Sequence, residues 1–231
     1  MGRAHLKRLN APKTWKVNRS SIKFITKPSP GPHSKGMCMP INIVLRDKLG
    51  YASTTKEVKH ILLNKEILVD GRIRRELKFP IGFMDVLEIP ELKEVYRMLL
   101  NNKGYLVLMK IDKKEANLKP CRIMNKTILR GGKTQLNLSG GINKIVDKDA
   151  FKTGDTVILE MPKQDIKDHI KLEKGAYVFM MGGTHIGDHG IVEDVKPQTI
   201  VFKSSSDKSY ETLKKYALVI GKEKPIISLL K

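Results

Sequence analysis

No acidic residue precedes Asp47 in this chain of 231 residues, which also has only two cysteines, one tryptophan and no long apolar run. Cys38 and Cys121 lie far apart with no Cys-x-x-Cys, so the spacing of a zinc site or a disulfide framework is missing. Two unpaired thiols fit a reducing compartment, and a cytoplasmic protein is expected. No stretch approaches the roughly 20 apolar residues that cross a bilayer, and no apolar segment follows the charged start, so neither a membrane span nor a signal peptide is expected. Aromatics are 6% of the chain, which favours several small cores over one large one.

What is present is positive charge. Lys+Arg number 44 against 24 Asp+Glu, a formal net charge of +20. Such an excess destabilises a compact chain by self-repulsion unless a polyanion neutralises it. With no membrane feature, nucleic acid is the expected partner. Residues 1–40 hold nine basic residues and no acidic one, whereas residues 41–90 net +2, 91–174 net +7 and 175–231 net +2.

The N-terminal forty residues end in Pro28-Ser29-Pro30-Gly31-Pro32-His33, which continues neither a helix nor a central strand. A solvated tail is the bland reading of such a segment. Against it, Leu6, Leu9, Trp15, Ile22, Phe24 and Ile25 alternate with the charges, a mixture suited to base stacking and to ordering on RNA. We therefore expect an arm without structure when free, with RNA contacts from Arg3, His5, Lys7, Arg8, Lys13, Trp15, Lys16, Arg19, Lys23, Lys27, His33 and Lys35.

Residues 41–91 read as a helix–helix–sheet module. Ile41, Val44, Leu45 and Leu49 recur at helical spacing before Gly50. Thr54-Thr55-Lys56-Glu57 is a capping box for a second helix with Val58, Ile61 and Leu62 on its apolar face. Ile67-Leu68-Val69-Asp70-Gly71-Arg72-Ile73-Arg74 is a two-residue hairpin, and Val86–Ile89 a further strand. The hairpin register pairs Leu68 with Ile73, so we expect that apolar pair to face the core and Arg72 and Arg74 to face outward. Guanidinium forks suit phosphate oxygens, and RNA contacts are expected from Arg46, Lys48, Lys56, Lys59, Arg72 and Arg74.

Residues 92–173 carry short strand patterns at Tyr105–Ile111, Thr127–Leu129, Gln135–Leu138 and Thr156–Glu160, and a small β-barrel would close their edges. Residues 174–231 open on a strand, a Gly-rich loop (Gly182-Gly183-Thr184-His185-Ile186-Gly187) and a strand.

Residues 45–72, from Leu45 through Leu49-Gly50-Tyr51-Ala52-Ser53-Thr54, Glu57-Val58 and Ile67–Arg72, resemble the small RNA-binding module first described in ribosomal protein S-four. Thr55 stands where that module often has a basic residue, and Asp70 where it often has Asn. Residues 174–195 resemble a KOW motif with Ile186 in place of its usual Lys, which implies RNA contact through the loop backbone, Thr184 and His185. The order of the modules, with His5–Trp15, Pro28–His33 and the run from Lys119-Pro120-Cys121-Arg122 to Leu138, is similar to the archaeal and eukaryotic small-subunit ribosomal protein S-four-e family, archaeal branch, over essentially the whole chain. That resemblance implies an α+β, mostly β fold: an arm (1–40), an S-four-like module (41–91), a central barrel-like β domain (92–173) and a KOW barrel (174–231). It also implies a structural, ribosomal-RNA-binding role in the small subunit beside neighbouring ribosomal proteins, with no enzymatic activity, cofactor or metal.

Three weaker signals point elsewhere. Gly131-Gly132-Lys133-Thr134 lacks the earlier glycine of a phosphate loop, that position being Thr127. Of His185, Asp188 and His189, the last two are adjacent and would face opposite sides of a strand, and no third ligand sits nearby at a familiar spacing. No nucleophile–base–orienter set can be assembled. A KOW-containing transcription or translation factor, and an RNA-modifying enzyme such as a pseudouridine synthase, remain as alternative readings; the second would need a catalytic domain for which no residue cluster is available.

Overall fold

The computed structural model describes residues 5–147, 150–204 and 208–230. Arg3, one of the expected RNA contacts, lies outside them. The chain forms two compact units, the first running to Leu99 and adding Tyr105–Ala116, the second built from Leu100–Gly104 and the chain from Asn117 onward.

In the first unit, β1 (Leu6–Lys7) pairs with β2 (Phe24–Ile25), and β3 (Cys38–Pro40) precedes α1 (Ile41–Ile43), which widens into a π-helical turn over Val44–Lys48. Helix α2 (Thr55–Asn64) starts where the capping box places it. Thr54 Oγ1 accepts from Glu57 N at 3.3 Å, and the Glu57 carboxylate reaches back to Ser53 N at 2.8 Å. Val58 and Leu62, one turn apart, face the core. Strands β4 (Leu68–Val69) and β5 (Arg72–Ile73) flank Asp70 and Gly71 at φ 52° and 70°, the left-handed pair that a tight hairpin turn requires. Asp70 also accepts from Val86 N at 3.0 Å, which ties the turn to the next strand.

Strand β6 (Pro80–Gly82) pairs with β3, while β7 (Val86–Ile89), β8 (Glu94–Leu100) and β9 (Leu106–Lys110) complete a sheet of order β5-β4-β7-β8-β9. This sheet continues past residue 91. Val86, Val95, Ile111 and Ala116 form one core cluster, so the β unit expected to begin at 92 contributes its first two strands here.

The hairpin face differs from expectation. Ile67 and Val69 are buried, whereas Ile73 is 46% exposed. Arg72 pairs with Val69 and Arg74 bonds Ile67, so the arginines share the core-side face and Leu68 and Ile73 lie on the other. The sheet covers the residues adjacent to its centre, and arginine stems can line its margin while their heads reach water.

The N-terminal segment also differs. Trp15 is 1% exposed, and its Nε1 donates to Cys38 O at 2.6 Å. Leu106 N bonds Thr14 O, and Ser29 N bonds Lys78 O, both at 2.9 Å. The expected unstructured arm is folded into the first unit.

The regular structure described in the second unit is β-strands and one 3-10 turn at Lys214–Tyr216. Strand β10 (Leu118–Ile128) pairs through residues 118–122 with β13 (Thr156–Glu160) and through residues 123–128 with β11 (Thr134–Leu138), with a bulge at Met124 inside the second ladder. With β12 (Asn143–Val146) and β14 (Asp165–Ile170) the order is β12-β11-β10-β13-β14. Strands β15 (Tyr177–Met180), β16 (His189–Val195), β17 (Thr199–Ser204), β18 (Ser209–Leu213) and β19 (Ala217–Gly221) form a second sheet of order β18-β17-β16-β15-β19. Ile158, Ile170 and Leu172 pack with Val178, Met180, Val192, Ile200, Phe202 and Val219 in one cluster, so the two sheets share a core.

Candidate nucleic-acid interface

Folding divides the basic residues of the N-terminal segment into two groups. Arg8 is only 5% exposed, and its guanidinium donates to Ile22 O at 3.1 Å and Asn18 O at 2.9 Å. Arg19 donates to Leu9 O at 2.8 Å and Ala11 O at 3.2 Å. His33 meets the buried Asp85 carboxylate at 2.8 Å, and Asp85 also accepts from Gly82 N. Trp15 belongs to the core. These four, expected as RNA contacts, hold the segment together instead.

His5, Lys7, Lys13, Lys16, Lys23, Lys27 and Lys35 are exposed. His5 lies against Phe24, with ring centroids 5.6 Å apart, and the Lys23 ammonium stands 5.6 Å from the same ring. A depression of about 310 Å³ is lined by His5, Leu6, Lys7, Asn10, Lys27 and Lys35, three lysines and no carboxylate. Its charge suits an anion, and its aromatic edge suits a base.

The helical module is more self-contained. Arg46 grips Asp47 through two bonds of 2.7 and 3.0 Å and Thr55 at 3.2 Å, and the Asp47 hydrogen bond raises its pKa. Lys48 donates to Lys16 O at 2.8 Å, and burial lowers its pKa, with Lys16 adding to the effect. Lys56 and Lys59 are exposed on α2. Arg72 is exposed; Arg74 is half-buried, its guanidinium 4.3 Å from the Phe79 ring centre. Arg75 and Lys78, exposed beyond the hairpin, are not among the residues expected from the sequence, although the run Arg72–Lys78 has four basic residues that could have marked them.

In the loop between β15 and β16, Thr184 is exposed but His185 is held: its ring stacks on Tyr210 at 4.1 Å and its Nδ1 is 3.6 Å from Asp188. Gly187, at φ +85°, leaves no room for a side chain, since a Cβ there would sit 2.3 Å from the Asn101 carbonyl carbon. The loop is thus buttressed by residues 101 and 102. His189 is half-buried and its pKa is lowered by that burial. Among the described residues no group of three His, Cys, Asp or Glu is placed to hold a metal ion.

The chain matches the family model described as Ribosomal family S4e over residues 92–166 and that of the RS4NT (NUC023) domain over residues 1–36. It is 43% identical over 233 residues to small ribosomal subunit protein eS4 of Methanosphaera stadtmanae, covering 99% of this chain and 96% of that protein. The same protein of Methanothermobacter thermautotrophicus is 42% identical over 233 residues, covering 98% and 96%. The crystal structure of the 30S ribosomal protein S4e from Thermoplasma acidophilum aligns with a TM-score of 0.70 at 31% identity, covering 80% of this chain and 95% of that one.

Proposed function

This chain belongs to the S4e family of ribosomal proteins, and from that premise we propose that it is a structural, non-enzymatic constituent of the small ribosomal subunit that binds ribosomal RNA and supports assembly and translation. The observation that carries the reading is identity with small-subunit proteins along nearly the whole chain. The location that follows is the cytoplasmic ribosome, with ribosomal RNA and neighbouring ribosomal proteins as partners.

In this reading the N-terminal segment (1–40), the S-four-like module with its sheet extended through β8 and β9, the central strands β10 to β14 and the KOW unit (174–231) each offer a surface to RNA. Lysines neutralise phosphates and release counterions, a term that supplies much of the affinity. His5, Lys7, Lys13, Lys16, Lys23, Lys27 and Lys35 act from the N-terminal segment, Lys56 and Lys59 from α2, Arg72 from the hairpin and Thr184 from the loop. Arg46, Lys48, Arg74 and His185 contribute mainly by holding the surfaces that present them.

Sedimentation tests the proposal. The protein, followed by mass spectrometry through a sucrose gradient of cell lysate, should travel with small subunits and stay there after a moderate salt wash. A chain found mainly at the top of the gradient, cycling between free and bound pools, is a factor and not a constituent.

A further inference from the structure

Asparagine is a poor strand former, yet three occupy a single rank across three neighbouring strands of the second unit. The register sets Asn125 opposite Asn137 and Asn137 opposite Asn143; the adjoining rank is Thr127, Gln135 and Ile145. Opposed residues project from the same face of a sheet. The opposite face carries the buried Thr134, Leu136 and Leu138, whereas Asn125, Thr127, Asn143 and Ile145 are exposed and Gln135 and Asn137 half-buried. The six positions form a solvated face with four amides, one hydroxyl and no carboxylate. The Lys133–Asp147 ion pair, 3.2 Å long, closes one end of it.

The central amides are oriented. Gln135 Nε2 donates to Asn137 Oδ1 at 2.7 Å, and Asn137 Nδ2 donates to Thr127 Oγ1 at 3.2 Å. These bonds use only part of what two amides offer. Nothing in the packing calls for asparagine, since threonine would favour the strands more at every one of the three positions.

We infer that this amide face reads base edges of unpaired ribosomal RNA. Each amide offers a donor beside an acceptor, the pattern that pairs with a base edge, and bases in loops and bulges present those edges. The turn at 129–133 supports the same occupant. It carries the exposed Arg130, and Gly131 and Gly132, at φ +87° and +75°, have no atom within 4 Å of where a Cβ would stand. A nucleic-acid backbone can therefore come close to the turn while its bases lie over the amides. The inference rests on the ribosomal reading and adds to it a surface that contributes selectivity without charge.

The test uses the full-length protein with Asn125→Thr, Asn137→Thr and Asn143→Thr combined, and Asn143→Thr alone as a milder variant should the combination fold poorly. Binding to small-subunit ribosomal RNA and to poly(U) is measured across a salt series, with thermal melting as the control for folding. We expect the triple variant to bind ribosomal RNA about tenfold or more weakly, with poly(U) affinity, salt slope and melting temperature unchanged. Asn143→Thr alone should show a smaller loss of the same kind. Unchanged ribosomal RNA affinity in both variants overturns the inference. So does unchanged affinity for naked RNA combined with loss of a neighbouring protein from reconstituted particles, which makes the face a protein contact. A wild-type chain with no preference for ribosomal RNA over poly(U) fails at the earlier step, and the ribosomal reading falls together with this one.

Discussion

The N-terminal segment and the C-terminal sheet solve the same problem with different residues. The backbone of residues 5–37 has one two-residue strand pair and little other regular pairing, so its carbonyls need partners from elsewhere. Arg8 serves those of Asn18 and Ile22, and Arg19 those of Leu9 and Ala11. Strands β15 to β19 form a five-stranded sheet whose ladders supply their own partners, and no arginine follows Arg130 in the sequence. Charge that looks uniform in a count is divided by chemistry. In the N-terminal segment the planar fork of arginine substitutes for secondary structure, and the more strongly hydrated lysines stay outside.

The largest effect separates the two roles. Replacing Lys7, Lys23, Lys27 and Lys35 together by Gln should reduce the salt slope of RNA binding by about three to four units, near one for each phosphate left without its lysine. Replacing Lys196, Lys203, Lys214 and Lys215 of the C-terminal sheet should reduce it less. Filter binding between 50 and 200 mM salt measures both, and equal slopes would erase the distinction. Next in size is Trp15→Ala, which removes a buried indole and its bond to Cys38. It should cost about 3–5 kcal/mol in denaturant unfolding, a loss that a solvated arm could not produce.

Arg8→Lys keeps the charge and removes the fork. We expect a loss of about 1–3 kcal/mol with an unchanged salt slope, against Lys7→Gln, which should change the slope and leave stability within about 0.5 kcal/mol. The smallest effect concerns acid. Glu94 accepts from Lys110 at 2.8 Å, from Tyr51 and from Tyr96 at 2.9 Å, which holds its pKa at about 2 instead of 4.5. A carboxylate depressed in the folded state contributes stability that is complete above pH 4.5 and disappears as pH falls through about 2. Glu94→Gln should therefore lower the melting temperature at neutral pH and converge with the wild type near pH 2. A constant offset at every pH would assign the effect to packing.

Local features are the legible ones. The capping box at Thr54 and the Asp70-Gly71 turn depend on residues within a few positions, and both sit where the sequence puts them. The mainly β character follows from the β-branched runs. Strands β12 and β14 are not legible, because Asn143-Lys144 and Asp165 to His169 have weak strand propensity and depend on neighbours for their pairing. The hairpin face is misleading because Leu68 and Ile73 look like the apolar pair, while Ile67 lies one residue before β4 and sets the opposite parity. Trp15 misleads for a different reason: an indole among lysines has the same sequence signature whether it awaits a base or plugs a core 23 residues away at Cys38. Of the expected RNA contacts, the described lysines other than Lys48 are exposed, as the sequence suggests, but no local pattern distinguishes an arginine that folds the chain from one that meets a phosphate.

Strand β19 has a consequence in time. All five of its residues, Ala217–Gly221, are buried, and it pairs with β15, whose first residue is Tyr177. During synthesis the first unit has every strand it needs once residue 116 has emerged. The second cannot close its core until residue 221 is free, leaving β15 with an uncovered edge while the intervening chain is made. A chain released early would thus present a finished basic half joined to an open, apolar sheet, the form that cellular quality control should recognise first.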